Sequence, residues 1–435
     1  MVQRSGSFFQ RFFRTETVGG LILLVFAIVA LILANSTVAP LYRAFWETRV
    51  SIGPGARALT LTLHQWINDG LMAIFFLLVG LEIKRELLAG ELASVKQAAL
   101  PIAAALGGMV VPAAFYWSFN PSGPSAAGWG IPMATDIAFA LGALALIAPR
   151  APIGIKVFLA ALAIVDDMGA VLVIATFYSG EIAWAALAAG GGMIGVLVIL
   201  NLTGVTKLWP YLLSGIVLWY FVHESGVHAT IAGVALAVTI PSRTRLNAVE
   251  FSREARALLD QFDRSETGDL LVLTSKGQQE SLFALERASK AVTAPILRLE
   301  HGLHSFSAFV VMPLFAFANA GVQIGGPMVH PEIALGVMAG LVIGKPLGIL
   351  GASLLAVKSG LARLPDEVNW GSLLGAACLA GIGFTMSLFI AMLAFDVAAL
   401  INTAKVAILG ASLLAGLIAM VVFNTIGRVG GRRRE

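Results

Sequence analysis

The sequence predicts an all-α polytopic membrane protein with about twelve transmembrane helices and inverted-topology repeats (spans 3–5 and 10–12), each repeat having an interrupted central helix. Three observations carry that prediction. Of the 435 residues, 58% are hydrophobic and only 12% charged, with a mean hydropathy of +0.87, far too apolar for a water-soluble domain. The apolar residues fall into runs long enough to cross the hydrocarbon layer. Two stretches of weak helix formers, Gly130-Ile131-Pro132 with Thr135 and Gly381-Ile382-Gly383 with Thr385, interrupt two of these runs seven spans apart. Forty-six glycines suit close helix packing in lipid. The net charge of +4 does not indicate nucleic acid, because the basic residues sit in short loops and form no patch. The lone Cys378 rules out an internal disulfide or a thiolate metal cluster.

Taken in order, residues 1–17 place Phe8, Phe9, Phe12 and Phe13 on one side of a helix, with Arg4, Arg11 and Arg14 among polar neighbours. This predicts a short amphipathic helix lying on the inner leaflet. Ala34-Asn35-Ser36 faintly resembles a signal cleavage site, but the preceding apolar run is long for a signal peptide, so a retained first span is expected. By length, the spans are 18–36, 64–86, 97–118, 129–148, 153–179, 182–200, 207–222 and 226–240, then 304–320, 332–357, 370–395 and 404–426. Between the two groups, residues 241–303 form an extended loop, with helical spacing over Asn247–Phe262 and Glu280–Leu299. Residues 427–435 are a basic tail. Arg43, Arg49, Arg57 and Lys405 fall on one side and Lys345 inside a span; every other Lys and Arg falls on the side of the termini. The positive-inside rule then places both termini and the 241–303 loop in the cytoplasm.

The chemistry concentrates between Gly130 and Tyr178. Two antiparallel apolar runs meet at the Ala148-Pro149-Arg150 corner. Asp136 on the first and Asp166 on the second each lie roughly 20 Å from that corner, so Asp136 and the pair Asp166–Asp167 share one depth near the midplane. Ionisable groups there are costly and mark an ion or proton path. Two adjacent buried aspartates cannot both stay ionised without a cation, since burial and mutual repulsion oppose the charged form. They suit protons or a small hard cation, and competition for one site is a complete exchange mechanism. A helix turns about 100° per residue, so Asp166 and Asp167 cannot play identical parts. Lys345 can pair with Asp166 or offset the negative ends of the interrupted helices while Asp136 offsets the positive ends. Thr135 and Thr385 can offer oxygens to an ion or simply bond carbonyls of their own helices.

Several motifs together resemble the NhaA-type sodium/proton antiporters of bacterial inner membranes. They are Ile67-Asn68-Asp69-Gly70-Leu71-Met72, Gly80-Leu81-Glu82-Ile83-Lys84-Arg85-Glu86-Leu87, Ala134-Thr135-Asp136-Ile137-Ala138-Phe139, Ile164-Val165-Asp166-Asp167 and Gly226-Val227-His228-Ala229-Thr230. They continue with Leu299-Glu300-His301, Pro313-Leu314-Phe315-Ala316-Phe317-Ala318-Asn319-Ala320-Gly321 and Gly344-Lys345-Pro346. That family is itself known for inverted repeats, so architecture and resemblance count as one observation. The resemblance implies electrogenic export of Na⁺ or Li⁺ against about two protons, with Asp167 as principal Na⁺ and proton ligand and Asp166 as its partner. It also implies activity gated by internal pH. Glu82, Arg85 and Glu86 of span two, with Glu300, His301 and His304 at the start of span nine, are the candidate pH-sensing funnel, against a plainer reading as interfacial salt bridges. Asp69 and His228, near the outer ends of their spans, are candidates for a periplasmic exit, although His228 is as readily a packing residue. The outer loop 38–63 is a candidate homodimer contact.

No phosphate-cradling loop or cofactor motif is present in the sequence. Two other classes compete. An intramembrane aspartyl protease also uses two membrane aspartates, but the Gly-x-Gly-Asp pattern expected beside its second one is missing. In a retinal-type photoactive protein Lys345 would carry the Schiff base; about twelve spans and Pro346 beside the lysine argue against it.

Overall fold

The computed structural model describes residues 2–53, 58–244, 246–265, 275–325, 330–365 and 368–431, with side chains in the terminal helices from Thr17 and up to Thr425. The expected amphipathic face of residues 1–17 and the basic tail 427–435 therefore lie outside the described side chains.

Helix α1 (Val2–Ala34) runs without a break into the first span, so the expected separate surface helix is continuous with it. It is followed by α2 (Ala39–Glu47) and a hairpin of β1 (Arg49–Ile52) and β2 (Leu59–Thr62), paired antiparallel with Arg49 opposite Thr62. The chain continues through α3 (Leu63–Ala89), α4 (Val95–Phe119), a broken pair α5a (Pro124–Met133, 3-10) and α5b (Ile137–Ile147), α6 (Ile153–Phe177), α7 (Trp184–Leu202), α8 (Leu208–Glu224) and α9 (Ile231–Thr239). Outside the spans, α10 (Ala248–Arg264) and α11 (Lys276–Val292) pack as a helical hairpin. Then come α12 (Pro295–Asn319), α13 (Pro331–Lys358), a second broken pair α14a (Trp370–Ala380) and α14b (Phe384–Ala394), and α15 (Ala398–Gly431). Among the described residues eight helices are long and apolar enough to span a bilayer, or ten spans if each broken pair counts as one. The other two expected spans correspond to α8, of 17 residues, and α9, of nine.

Four boundaries differ from the sequence reading. Residues 226–230 turn instead of extending α9, because Gly226 takes φ 78° and passes so close to the Glu181 carbonyl that a Cβ would lie 2.1 Å from it. The helix expected over Glu280–Leu299 stops at Val292, since Pro295 cannot continue it and instead starts α12 from its first turn. Glu300, His301 and His304 consequently lie inside α12 and not ahead of it. Finally, α15 begins at Ala398, which brings Lys405 inside the helix, where it is buried.

The inverted repeats are visible as α4–α5–α6 and α13–α14–α15, each a broken helix between two long ones, with bends of 46° and 45°. Lipid gives no hydrophobic drive between helices, so close approach depends on small residues. Gly107 of α4 and Gly348 of α13 meet backbone to backbone, and a Cβ on either would fall 2.2 Å or less from the other's carbonyl oxygen. These six helices carry most of one buried core, joined by α1, which packs on α5b and α12. A second core unites α3, α7, α8, α9 and α12. Lys84 of α3 fastens that group by donating at the end of α9, to the Val238 carbonyl (2.6 Å) and to that of Ile240 just past it.

Candidate functional site

The two breaks cross and satisfy each other's backbone. Unwinding a helix inside a membrane frees peptide groups that must find partners. Here the Asp136 N–H donates to the Ile382 carbonyl at 2.8 Å, and the Thr135 hydroxyl donates to the Ala380 carbonyl at 2.9 Å. The Ser387 hydroxyl reaches back to the Ile131 carbonyl at 2.8 Å. Both helix halves that follow the breaks point their N-termini at one carboxylate. Asp136 accepts from the Phe139 N–H of α5b at 2.9 Å, and its other oxygen accepts from the Thr385 N–H of α14b at 3.1 Å and from the Thr385 hydroxyl. A negative charge thus sits at two positive dipole ends. The opposite match is made by Lys345, whose ammonium donates to the carbonyl of Met133, the last residue of α5a.

Lys345 also donates to Asp166 Oδ2 at 2.6 Å, and both side chains are almost wholly buried. Thr135 lies against Asp166 as well. A buried ion pair of this kind needs such additional partners to offset the cost of leaving water. The next residue on α6 has a different environment. Asp167 is 1% exposed, and neither of its carboxylate oxygens has a hydrogen-bond partner among the described residues. It faces a cavity of about 50 Å³ shared with Asp136, Glu82, His304, Phe75 and Met386, room for one or a few water-sized molecules. The helix rotation between neighbours therefore gives the two aspartates different surroundings.

The same cavity leads to the candidate pH-sensing residues. Arg85 bonds Glu86 at 2.8 Å and also Glu300, while His304 Nδ1 stands 3.7 Å from Glu82. Five of the six residues form one cluster between α3 and α12; His301 is exposed. At the other end of α3, Asp69 occupies a π-helical turn, Trp66–Leu71. Its carboxylate lies 3.8 Å from His228 Nε2, and its carbonyl accepts from the Trp219 indole at 2.8 Å. His228 also bonds Thr230 at 2.9 Å and meets Phe389 of α14b edge-on. Further π-helical turns lie at Ser307–Val311, beside the cavity, and at Gly340–Gly344, immediately before Lys345. Such turns concentrate where a side chain must be re-aimed.

Sequence reasoning assigned no part to His64, Asn68, Asn319 or Lys405, which the structure gathers near the outer end of α3. The signal available was His64 and Asn68, two polar residues four apart at the head of an apolar run.

Comparison with known proteins agrees with this architecture. Residues 10–423 match the family model described as Na+/H+ antiporter 1. Proteins named Na(+)/H(+) antiporter NhaA are 48% identical in Oleidesulfovibrio alaskensis, over 98% of this chain and 95% of that one, and in Wolinella succinogenes, over 94% and 90%. A protein of the same name from Acidithiobacillus ferrooxidans is 48% identical over 97% and 98%. With two crossed, interrupted helices, buried aspartates beside a buried lysine, and similarity along nearly its whole length, the chain belongs to the NhaA-type Na+/H+ antiporter family.

Proposed function

We propose that the protein is a secondary antiporter that exports Na⁺ or Li⁺ in exchange for about two protons, with Asp167 as the shared ligand. The observation that carries this reading is the contrast at residues 166 and 167. Asp166 is held by Lys345, whereas the Asp167 carboxylate is buried at the cavity with no hydrogen-bond partner among the described residues. An isolated buried carboxylate takes a proton or a cation, because the bare charge is too costly. A proton and a sodium ion therefore exclude one another there, and each must leave before the other binds. When a cation binds, Asp166 can turn from Lys345 toward it, so the pair supplies the second titratable step. Two protons for one monovalent ion moves net charge, and the membrane potential then drives export.

Alternating access follows from the crossing. The breaks are fixed to each other and to Asp136, so the site stays formed while the surrounding helices expose it to one side or the other. In this reading the Glu82–Arg85–Glu86–Glu300–His304 cluster is the cytoplasmic mouth and responds to internal pH, with Asp69 and His228 on the periplasmic route. Both termini are cytoplasmic, the protein resides in the bacterial inner membrane, and the outer hairpin within residues 38–63 is available for dimer contacts.

The test is exchange in inside-out vesicles. Added Na⁺ should dissipate an imposed proton gradient, more strongly at alkaline pH. Asp167→Asn should reduce the signal by at least about 100-fold, as expected when a charge-bearing ligand is removed from a buried site. Full activity in that variant refutes the site assignment.

A further inference from the structure

The outer end of α3 carries a hydrogen-bonded ring that neither the exchange reaction nor the cytoplasmic cluster uses. His64 Nε2 lies 2.9 Å from Asn319 Oδ1. Asn319 Nδ2 donates to Asn68 Oδ1 at 2.9 Å, and Asn68 Nδ2 faces His64 Nδ1 at 3.2 Å. The direction of the ring is fixed from outside it. Asn319 Nδ2 also donates to the Phe315 carbonyl at 3.0 Å, so Asn319 Oδ1 is an acceptor and His64 Nε2 must carry a hydrogen. The Asn68 amide then presents its NH₂ to His64 Nδ1, which must be a bare acceptor. The ring closes only around neutral His64 with its proton on Nε2. A second proton would set an N–H against an NH₂, and flipping Asn68 to receive it would set Asn68 NH₂ against Asn319 NH₂. A single proton therefore opens the ring.

The ring joins two elements that matter to exchange. His64 and Asn68 belong to α3, Asn68 next to Asp69, and they follow directly from the outer hairpin through a capping box at Thr62. Asn319 ends α12, the helix that carries Glu300 and His304 at its other end. The charged group facing the ring is Lys405 of α15, which further opposes a positive imidazole. From α2, which also packs here, Tyr42 bonds the Phe317 carbonyl, and burial pushes its hydroxyl up to about 12, so it stays neutral. Arg43 and Glu47 of α2 and Arg49 of β1 are exposed. Asp69 is engaged with His228. His64 is only half buried, within reach of protons from the outer solution.

We propose that His64, Asn68 and Asn319 form a proton-sensitive latch on the outer face: neutral His64 holds the outer half of α3 against α12, and its protonation releases that contact and promotes outward opening. This rests on the exchange reading above for its orientation and its readout. The experiment uses the full chain in proteoliposomes, with cytoplasmic-side pH clamped and outer pH varied. Protons are also substrates, so the quantity read is the ratio of wild-type to His64→Gln exchange rates. Glutamine supplies one donor and one acceptor without titrating. The ratio should rise at least about fivefold as outer pH is lowered from about 8 to about 4. Asn319→Asp, which places a carboxylate on the His64 proton, should move that step to higher pH. Independently of transport, nitrogen NMR of histidine-labelled protein should show a resonance, absent in His64→Gln, with the Nε2–H tautomer at alkaline pH. A flat ratio, or a doubly protonated His64 at alkaline pH, overturns the latch. Absence of exchange in the wild type would instead overturn the transporter reading, while the NMR measurement still decides the ring.

Discussion

The two inverted triplets share a backbone design and divide the chemistry unequally. Each breaks its central helix by nearly the same angle, and each places the break against the other. Yet α4–α5–α6 supplies Asp136, Asp166 and Asp167, whereas α13–α14–α15 supplies Lys345 and Thr385. The symmetric part makes helix ends inside the membrane. The asymmetric part decides which charges meet them. One aspartate and one lysine complement those ends, one aspartate pairs with the lysine, and Asp167 has no hydrogen-bond partner among the described residues.

That division can be broken most forcefully at Lys345. Lys345→Met strips the partner from a buried carboxylate and should lower stability by about 3–5 kcal/mol, while Lys345→Met combined with Asp166→Asn should recover most of the loss. Thermal unfolding of the four proteins in detergent closes this cycle; additive losses would show that the lysine acts through the Met133 carbonyl and not through Asp166. Next in size is Asp136→Asn, which weakens the capping of two helix N-termini at once and should cost about 1–3 kcal/mol by the same assay. An unchanged midpoint would mean that the helix ends do not depend on that charge. The smallest contrast compares the breaks themselves. In Gly381→Ala the new Cβ would lie 2.5 Å from the Leu341 carbonyl oxygen, so the variant should lose about 1–3 kcal/mol. Ala134→Gly in the first break should lose only about 0.5–1 kcal/mol through chain entropy. Equal effects would show that the two breaks are equally crowded.

Much of this was readable before any coordinates, for reasons that have limits. The aspartates at 136, 166 and 167 stood out because a carboxylate in a long apolar run has no cheap explanation, and the helical turn already separated the last two. The breaks were legible from Gly and Pro, and the two helices of the 241–303 loop from their spacing, though not their packing together. Boundaries were less legible. Hydropathy alone starts α12 at residue 304, although Pro295 marks the true start, and it puts Lys405 at the outer end of the last span, although that helix begins at Ala398. The α9 turn depends on a close approach of Gly226 to residue 181, which no local pattern shows. The ring of His64, Asn68 and Asn319 was hidden for the same reason: its closure joins residues 251 positions apart. Threonine was ambiguous in sequence: Thr135 and Thr385 give their hydroxyl hydrogens not to their own helices but across to the other broken helix, to the Ala380 carbonyl and the Asp136 carboxylate.

The meeting of Gly107 with Gly348 bears on how such a molecule can move. Where side chains interlock, helices can slip by exchanging rotamers; where bare main chains touch, there is nothing to exchange. Helices α4 and α13 are in that sense riveted, one from each half of the pseudo-symmetric unit. Any rocking that carries the ion across must swing these two as one beam and find its pivot elsewhere, along the seams that α1, α3 and α12 make with it.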